Sequence, residues 1–168
     1  MFPLDISLFL KLNASGVTPA WLIELARFGS QELPQWLLAG TVGALVVSDA
    51  NLRRSVWRVL LAMLIAWVMA NIGQALIHVP RPFAMGIGTA WLPHSGGSGF
   101  PSSHASVAFA FAAAVAMTTQ RWMCALSAIG LASLIAWSRV SLGLHFPSDV
   151  FAGALIGVAC AWLACRVP

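Results

Sequence analysis

The sequence predicts an all-α, polytopic membrane protein, a transmembrane bundle of five to six helices preceded by a short N-terminal interfacial helix. Three observations predict it. Hydrophobic residues fill 60% of the 168 positions and charged residues only 8%, against roughly 45–50% and about 25% in soluble domains. The mean hydropathy is +0.86. Apolar runs of spanning or near-spanning length follow one another, separated by short polar or Pro/Gly-rich breaks. A chain of this length supplies one such bundle with little left over, so residues 1–168 are expected to form a single membrane-embedded domain.

Residues 4–12, LDISLFLKL, are too short to span and too irregular for a strand, which fits a helix lying at the interface. No basic leader or small-residue cleavage site is evident, so no segment is expected to be removed. Residues 18–29 predict a second short helix, broken near Gly29. A span follows from Pro34 to Val47, ended by Asp49 and Asn51. The clearest span is 56–78, about 34 Å at ~1.5 Å per residue, and Pro80 and Pro82 stop it. Residues 83–100 are irregular and carry five glycines; three more spans are expected at 102–118, 122–140 and 147–164. No internal repeat is visible.

Net charge of +4 from few ionisable groups describes loops and helix ends, with no basic stripe for nucleic acid. Cys124, Cys160 and Cys165 lack metal-ligand spacing and read as small buried apolar residues. Arg53, Arg54 and Arg58 place the start of the 56–78 span on the cytoplasmic side. Alternate crossings then put Arg121 and Arg166 inside, and Arg81, Arg139, His104 and His145 together outside.

Polar residues inside such spans cost a few kcal/mol each and face a cavity or a partner. They form three clusters, Gln74–Pro82, Pro101–His104 and Ser138–Asp149. Within SRVSLGLHFPSD, His145 and Asp149 lie four apart around Pro147, a residue suited to a helix's first turn. That spacing can set the carboxylate against one ring N–H and leave the other nitrogen's lone pair free, the logic of an oriented nucleophile or base. A helix starting near Ser102 would turn its unpartnered N–H groups toward an anion, with serine hydroxyls as further donors and His104 placed to give a proton. Arg81 and Arg139 bring forked guanidiniums suited to phosphate oxygens. Each cluster alone admits a plainer reading: arginines that snorkel, a His–Asp helix cap, a serine N-cap. Together they point to phosphate chemistry without a metal.

The segments Gln74…Arg81-Pro82, Pro101-Ser102-Ser103-His104 and Ser138-Arg139…His145…Asp149 resemble, in order and separation, the three signature motifs of the type 2 phosphatidic acid phosphatase family. The resemblance implies a helical bundle around a metal-independent site with no cofactor. It implies His145 as a nucleophile that becomes phosphorylated and Asp149 as its orienting partner. His104 would protonate the leaving group and then activate water. Arg81, Arg139, Ser102 and the Ser103 amide would hold the phosphoryl oxygens. Gln74 stands where the family commonly has lysine, and Ser103 where it commonly has glycine; an amide still donates a hydrogen bond but brings no charge.

The stretch RPFAMGIGTAWLPHSGGSGFPSSH is most similar to the bacterial subgroup acting on undecaprenyl diphosphate. The expected partners are therefore a membrane lipid substrate and its surrounding lipids, and the expected location is the plasma membrane with the site facing outward. Other lipid phosphates of the family (lipid A, phosphatidylglycerol phosphate, phosphatidic acid) are the alternative substrates. A proton-coupled transporter or channel is the remote alternative; it requires polar residues strung through the bilayer. His78 reads as an interfacial histidine and His94 as a possible substrate contact in the glycine-rich loop. The tryptophans suit interfacial anchoring.

Overall fold

A computed structural model describes residues 3–93 and 96–167. The described chain forms α1 (Pro3–Leu12), α2 (Ala20–Arg27), a π-helical turn (Phe28–Glu32), α3 (Leu33–Val47), α4 (Ala50–Leu76), a 3-10 turn (Pro82–Met85), α5 (Ser103–Thr118), α6 (Trp122–Ser141) and α7 (Pro147–Cys165). Helices α4, α6 and α7 are long and apolar enough to cross a membrane, and α5 is a shorter apolar helix. The last three lie within a residue of their sequence-predicted limits.

Two predicted boundaries differ. No break occurs at Gly29: Phe28, Glu32 and Leu33 all keep right-handed helical dihedrals, and α2, the π turn and α3 form one continuous helical segment over residues 20–47, about 42 Å long at ~1.5 Å per residue. The widened turn sits immediately before Pro34, which cannot supply the usual backbone donor. The next helix begins at Ala50, several residues earlier than position 56, because the Asp49 carboxylate accepts from Leu52 N at 2.8 Å and caps it. Asp49 thus starts a helix as well as following one.

Helix α5 is central and packs on α4, α6 and α7. Its alanines divide between two clusters. Ala110 and Ala114 meet Ala62 and Ala66 of α4 and Ala161 and Ala164 of α7. Ala108 and Ala112 meet Leu33, Ala128, Ala132 and Ile135 on the other side. In a bilayer, lipid tails are as apolar as leucine, so helix association depends on close van der Waals contact, and small residues allow it. The α5–α7 contact is the tightest: a Cβ on Gly153 would lie 2.6 Å from the Ser102 carbonyl oxygen. One on Gly157 would strike the Ser106 carbonyl. Large apolar side chains such as Leu64, Trp67 and Leu76 point outward instead.

Helix α1 is more than an interfacial float. Its Phe9 is fully buried against Val140 and Phe146. Asn13 then accepts from Thr89 N at 2.8 Å and donates to Ser141 O at 3.0 Å. Residues 77–93 and 96–102 fold across the same end of the bundle, and Gly143, at φ +78°, lies so close to Thr89 that a side chain there would overlap the Thr89 backbone. Of the cysteines, Cys160 is buried as expected, whereas Cys124 is exposed on α6.

The α5–α7 contact predicts a paired outcome. Gly157→Ala drives a methyl into the Ser106 and Ala110 backbone and should cost about 1–3 kcal/mol. Gly130→Ala, where nothing lies within 4 Å, should be neutral or slightly stabilising. Thermal unfolding in detergent reads both, and equal midpoints for the two variants would contradict the packing.

Candidate active site

The C-terminal ends of α4 and α6, the N-terminal ends of α5 and α7, and the segments 77–93 and 96–102 meet at one end of the bundle. His145 lies in the turn between α6 and α7 and is only 1% exposed. Leu142 and Leu144, both buried with Ala26 of α2, hold that turn in place. The imidazole Nδ1 is 2.8 Å from the Gly99 carbonyl oxygen. A carbonyl can only accept, so Nδ1 carries the proton and Nε2 presents its lone pair. Arg81 Nη1 donates to that Nε2 at 3.0 Å.

Asp149 takes a different share of the work than the i, i+4 spacing predicts. Its Oδ2 stands 3.5 Å from His145 Nδ1, and its shorter contact, 2.9 Å, is with the Phe146 N–H. The carboxylate closes the first turn of α7 while remaining beside the imidazole, and Gly99 supplies the direct hydrogen bond that fixes the tautomer.

Arg81 and Arg139 are both buried, at 5% and 4% exposure. Arg81 donates from Nε to Gly97 O at 3.2 Å, from Nη2 to Ser98 O at 3.1 Å and from Nη1 to Leu144 O at 3.1 Å. Arg139, in the last turn of α6, reaches across to the π turn, where Nη1 meets Ser30 Oγ at 2.5 Å. Burial lowers the Arg81 pKa, with the Asp149 charge opposing the shift. Burial, then the charges of Arg139 and Arg81, hold the His145 pKa well below the ordinary histidine value. The outcome is a neutral imidazole flanked by two buried cations, with one carboxylate to offset them. Such an arrangement favours an entering anion.

At the start of α5, Ser102 is fully buried and its hydroxyl has no hydrogen-bond partner among the described residues. Buried hydroxyls are usually satisfied, so this one is available to a bound group. Ser102 N donates to Asp149 O at 3.0 Å, tying the beginnings of α5 and α7 together. Ser103 and His104 sit at one end of a cavity of about 600 Å³ that continues as an apolar groove past Leu37, Leu60, Met63 and Trp67. Gln74 is directed to the scaffold: its Nε2 donates to Pro101 O at 2.8 Å, steadying the entry to α5. His78 is exposed just beyond α4, and His94 lies outside the described residues.

The structure therefore gathers His145, Asp149, Arg81, Arg139, Ser102, Ser103 and His104 at one bundle end. It adds two residues the sequence did not single out. Gly99 orients the His145 imidazole through its carbonyl, and Ser30 holds Arg139. The glycines of the 83–100 stretch marked only irregular chain, and nothing local marks Ser30, which lies 109 residues from its partner.

Comparison with known proteins gives one consistent result. The sequence profile of the PAP2 superfamily matches residues 55–168. The chain is 34% identical over 164 residues to YbjG of Escherichia coli (strain K12), a provisionally named undecaprenyl-diphosphatase, covering 92% of this chain and 78% of that one. It is 26% identical over 167 residues to an undecaprenyl-diphosphatase of Sulfolobus acidocaldarius, covering 99% and 78% respectively. Among solved structures, Aquifex aeolicus LpxE superposes with a TM-score of 0.81 at 24% identity, covering 98% of this chain and 96% of that chain, a likeness of fold.

The His145 environment can be read directly by ¹⁵N NMR of labelled imidazole. At about pH 6, where an ordinary histidine is mostly charged, His145 should appear neutral and protonated on Nδ1. Arg139→Gln removes one of the cations that depress it, so its titration should move upward. An imidazolium spectrum at that pH in the unaltered protein would contradict the arrangement.

Proposed function

The chain belongs to the PAP2 superfamily and is a lipid phosphatase of that family, and from that premise we propose that its substrate is undecaprenyl diphosphate, cleaved to undecaprenyl phosphate and inorganic phosphate. The observation that carries the reading is the pairing of a cationic anion site, which includes the buried Ser102 hydroxyl with no partner among the described residues, with an apolar groove that begins at Ser103 and His104. A diphosphate head fits the first and the start of a polyprenyl chain the second. Leu38, Leu64 and Trp67 line the groove and are exposed on the bundle's outer surface, so a lipid can enter sideways. The names of the Escherichia coli and Sulfolobus acidocaldarius relatives support the same substrate.

The proposed reaction has two displacements. His145 Nε2 leaves its contact with Arg81 and attacks the terminal phosphorus in line; a P–N bond forms as the P–O bond to the lipid phosphate breaks. Charge that builds on the equatorial oxygens meets Arg81, Arg139, Ser102 and the Ser103 amide. His104 donates its proton to the departing lipid phosphate. A water then attacks the phosphohistidine, gives its proton to His104, and the P–N bond breaks to release phosphate and restore both imidazoles. The cationic groups perform the charge neutralisation for which other phosphatases use a metal, so the scheme needs no metal or cofactor.

The outward orientation is part of the proposal. Arg53, Arg54, Arg121 and Arg166 gather at the bundle end opposite the site, as the positive-inside rule asks of a cytoplasmic face. The site would then open to the exterior of a bacterial plasma membrane.

Phosphate release by the purified protein tests the reading, with undecaprenyl diphosphate compared against lipid A, phosphatidylglycerol phosphate and phosphatidic acid. Undecaprenyl diphosphate should give the highest kcat/KM; a clear preference for another lipid would replace the substrate assignment. His145→Ala should lower the rate at least about 10³-fold. Brief exposure to substrate should leave an acid-labile phosphate on the peptide containing His145, and EDTA should leave the rate unchanged. Unaltered turnover by His145→Ala, or metal-restored loss after EDTA, would defeat the mechanism.

A further inference from the structure

We propose that Asp5, in the N-terminal helix α1, is a positioning residue for the nucleophile, an inference that rests on His145 being that nucleophile. Helix α7 begins two residues after His145, and its first N–H groups need partners. Pro147 at the first position has none to satisfy. Asp149 N and Val150 N donate to Phe146 O at 3.1 and 3.3 Å. The remaining donor of that turn, Ser148 N, is met by Asp5 Oδ1 at 3.0 Å, while Ser148 Oγ donates to Asp5 Oδ2 at 2.6 Å. The partners are 143 residues apart, and Asp5 is 9% exposed.

One carboxylate from another element thus performs the capping that α7 cannot perform for itself. Its negative charge also suits the positive end of the α7 dipole. The same turn carries Asp149, whose side chain holds Phe146 N and whose carbonyl holds Ser102 N. Slack at Ser148 therefore reaches both sides of the site: the imidazole through Phe146, and the α5 N-terminus through Ser102. Phe9, one turn further along α1, presses on Phe146 with ring centroids 5.2 Å apart, so α1 grips the nucleophile segment by a polar and an apolar contact. The α5 N-terminus faces the substrate with a serine hydroxyl that has no partner among the described residues, whereas Asp5 meets Ser148 at the α7 N-terminus. One helix start receives the anion and the other is locked to hold what attacks it.

The experiment compares Asp5→Ala, Asp5→Asn and Ser148→Ala in the full-length protein, with steady-state kinetics on undecaprenyl diphosphate and hydrogen–deuterium exchange of the intact chain. A displacement of about 1 Å at a nucleophile costs on the order of 100-fold. Asp5→Ala should therefore lower kcat by about 10- to 100-fold, with KM held within about 3-fold because the arginines are untouched. Asp5→Asn keeps an oxygen for Ser148 N–H, and Ser148→Ala keeps the N–H itself, so each should stay within about 3-fold of the unaltered protein. Exchange should accelerate in the peptide spanning 146–150 of Asp5→Ala and remain unchanged in α4 and α5. The proposal is overturned if Asp5→Ala retains full kcat, if Asp5→Asn is as damaging as Asp5→Ala, or if exchange rises uniformly along the chain. An unaltered protein that hydrolyses no lipid phosphate would count against the functional reading alone, since local exchange at 146–150 still reports on the Asp5 contact.

Discussion

Two guanidiniums buried beside one neutral imidazole are the constraint around which the rest of the molecule is organised. Taking Arg81 and Arg139 out of water and placing them near each other is costly unless their donors find acceptors. The fold answers with backbone carbonyls at Gly97, Ser98 and Leu144 for Arg81, and with Ser30 for Arg139. Those partners accept hydrogen bonds from both guanidiniums, but they carry no formal charge. Asp149 offsets part of the excess, and an incoming phosphate can supply the rest. Burial first, and then the charges of Arg139 and Arg81, keep the His145 imidazole neutral, so the cations that favour an entering anion also help leave its Nε2 lone pair uncharged.

Precision in that arrangement depends on packing far from it. Helices α5 and α7 approach closely because Gly153 and Gly157 lack side chains, and this brings Ser102 N onto the Asp149 carbonyl. A bulkier contact would separate two helix beginnings that must act as one unit. The segments 77–79 and 97–99 contribute backbone atoms where side chains would be too large. Ser98 Oγ bonds Ile77 O and receives Val79 N, and Gly99 N donates to Val79 O, which leaves the Gly99 carbonyl directed at the imidazole. The histidine is oriented by a main-chain oxygen whose own position is fixed by three further hydrogen bonds.

Much of this was legible in the sequence, and the limit of legibility is physical. Apolar runs with Pro/Gly punctuation marked the spans because membrane helices must satisfy their backbone locally, which leaves a periodic signature. His145, Asp149, Arg81 and Arg139 were visible because ionisable groups in such segments are conspicuous. Gly29 read as a break because a glycine beside polar residues ordinarily ends a helix. In the folded chain it lies against Leu134 and Ser138 of α6, and the π turn that contains it aims Ser30 at Arg139. Asp5, Ser30 and the Pro101 contact of Gln74 act across long sequence separations on partners that no local pattern identifies. Spacing alone paired Asp149 with the imidazole; the Gly99 carbonyl, invisible to any count of side chains, occupies that contact instead.

The lateral groove below His104 has a kinetic meaning. If the reacting lipid arrives by diffusing within a leaflet, the quantity that governs encounter is its mole fraction among neighbouring lipids, not its molarity in the tube. Inert amphiphile added at fixed substrate would then behave as a two-dimensional diluent. Rates measured in micelles and in bilayers would be commensurable only after conversion to that surface scale.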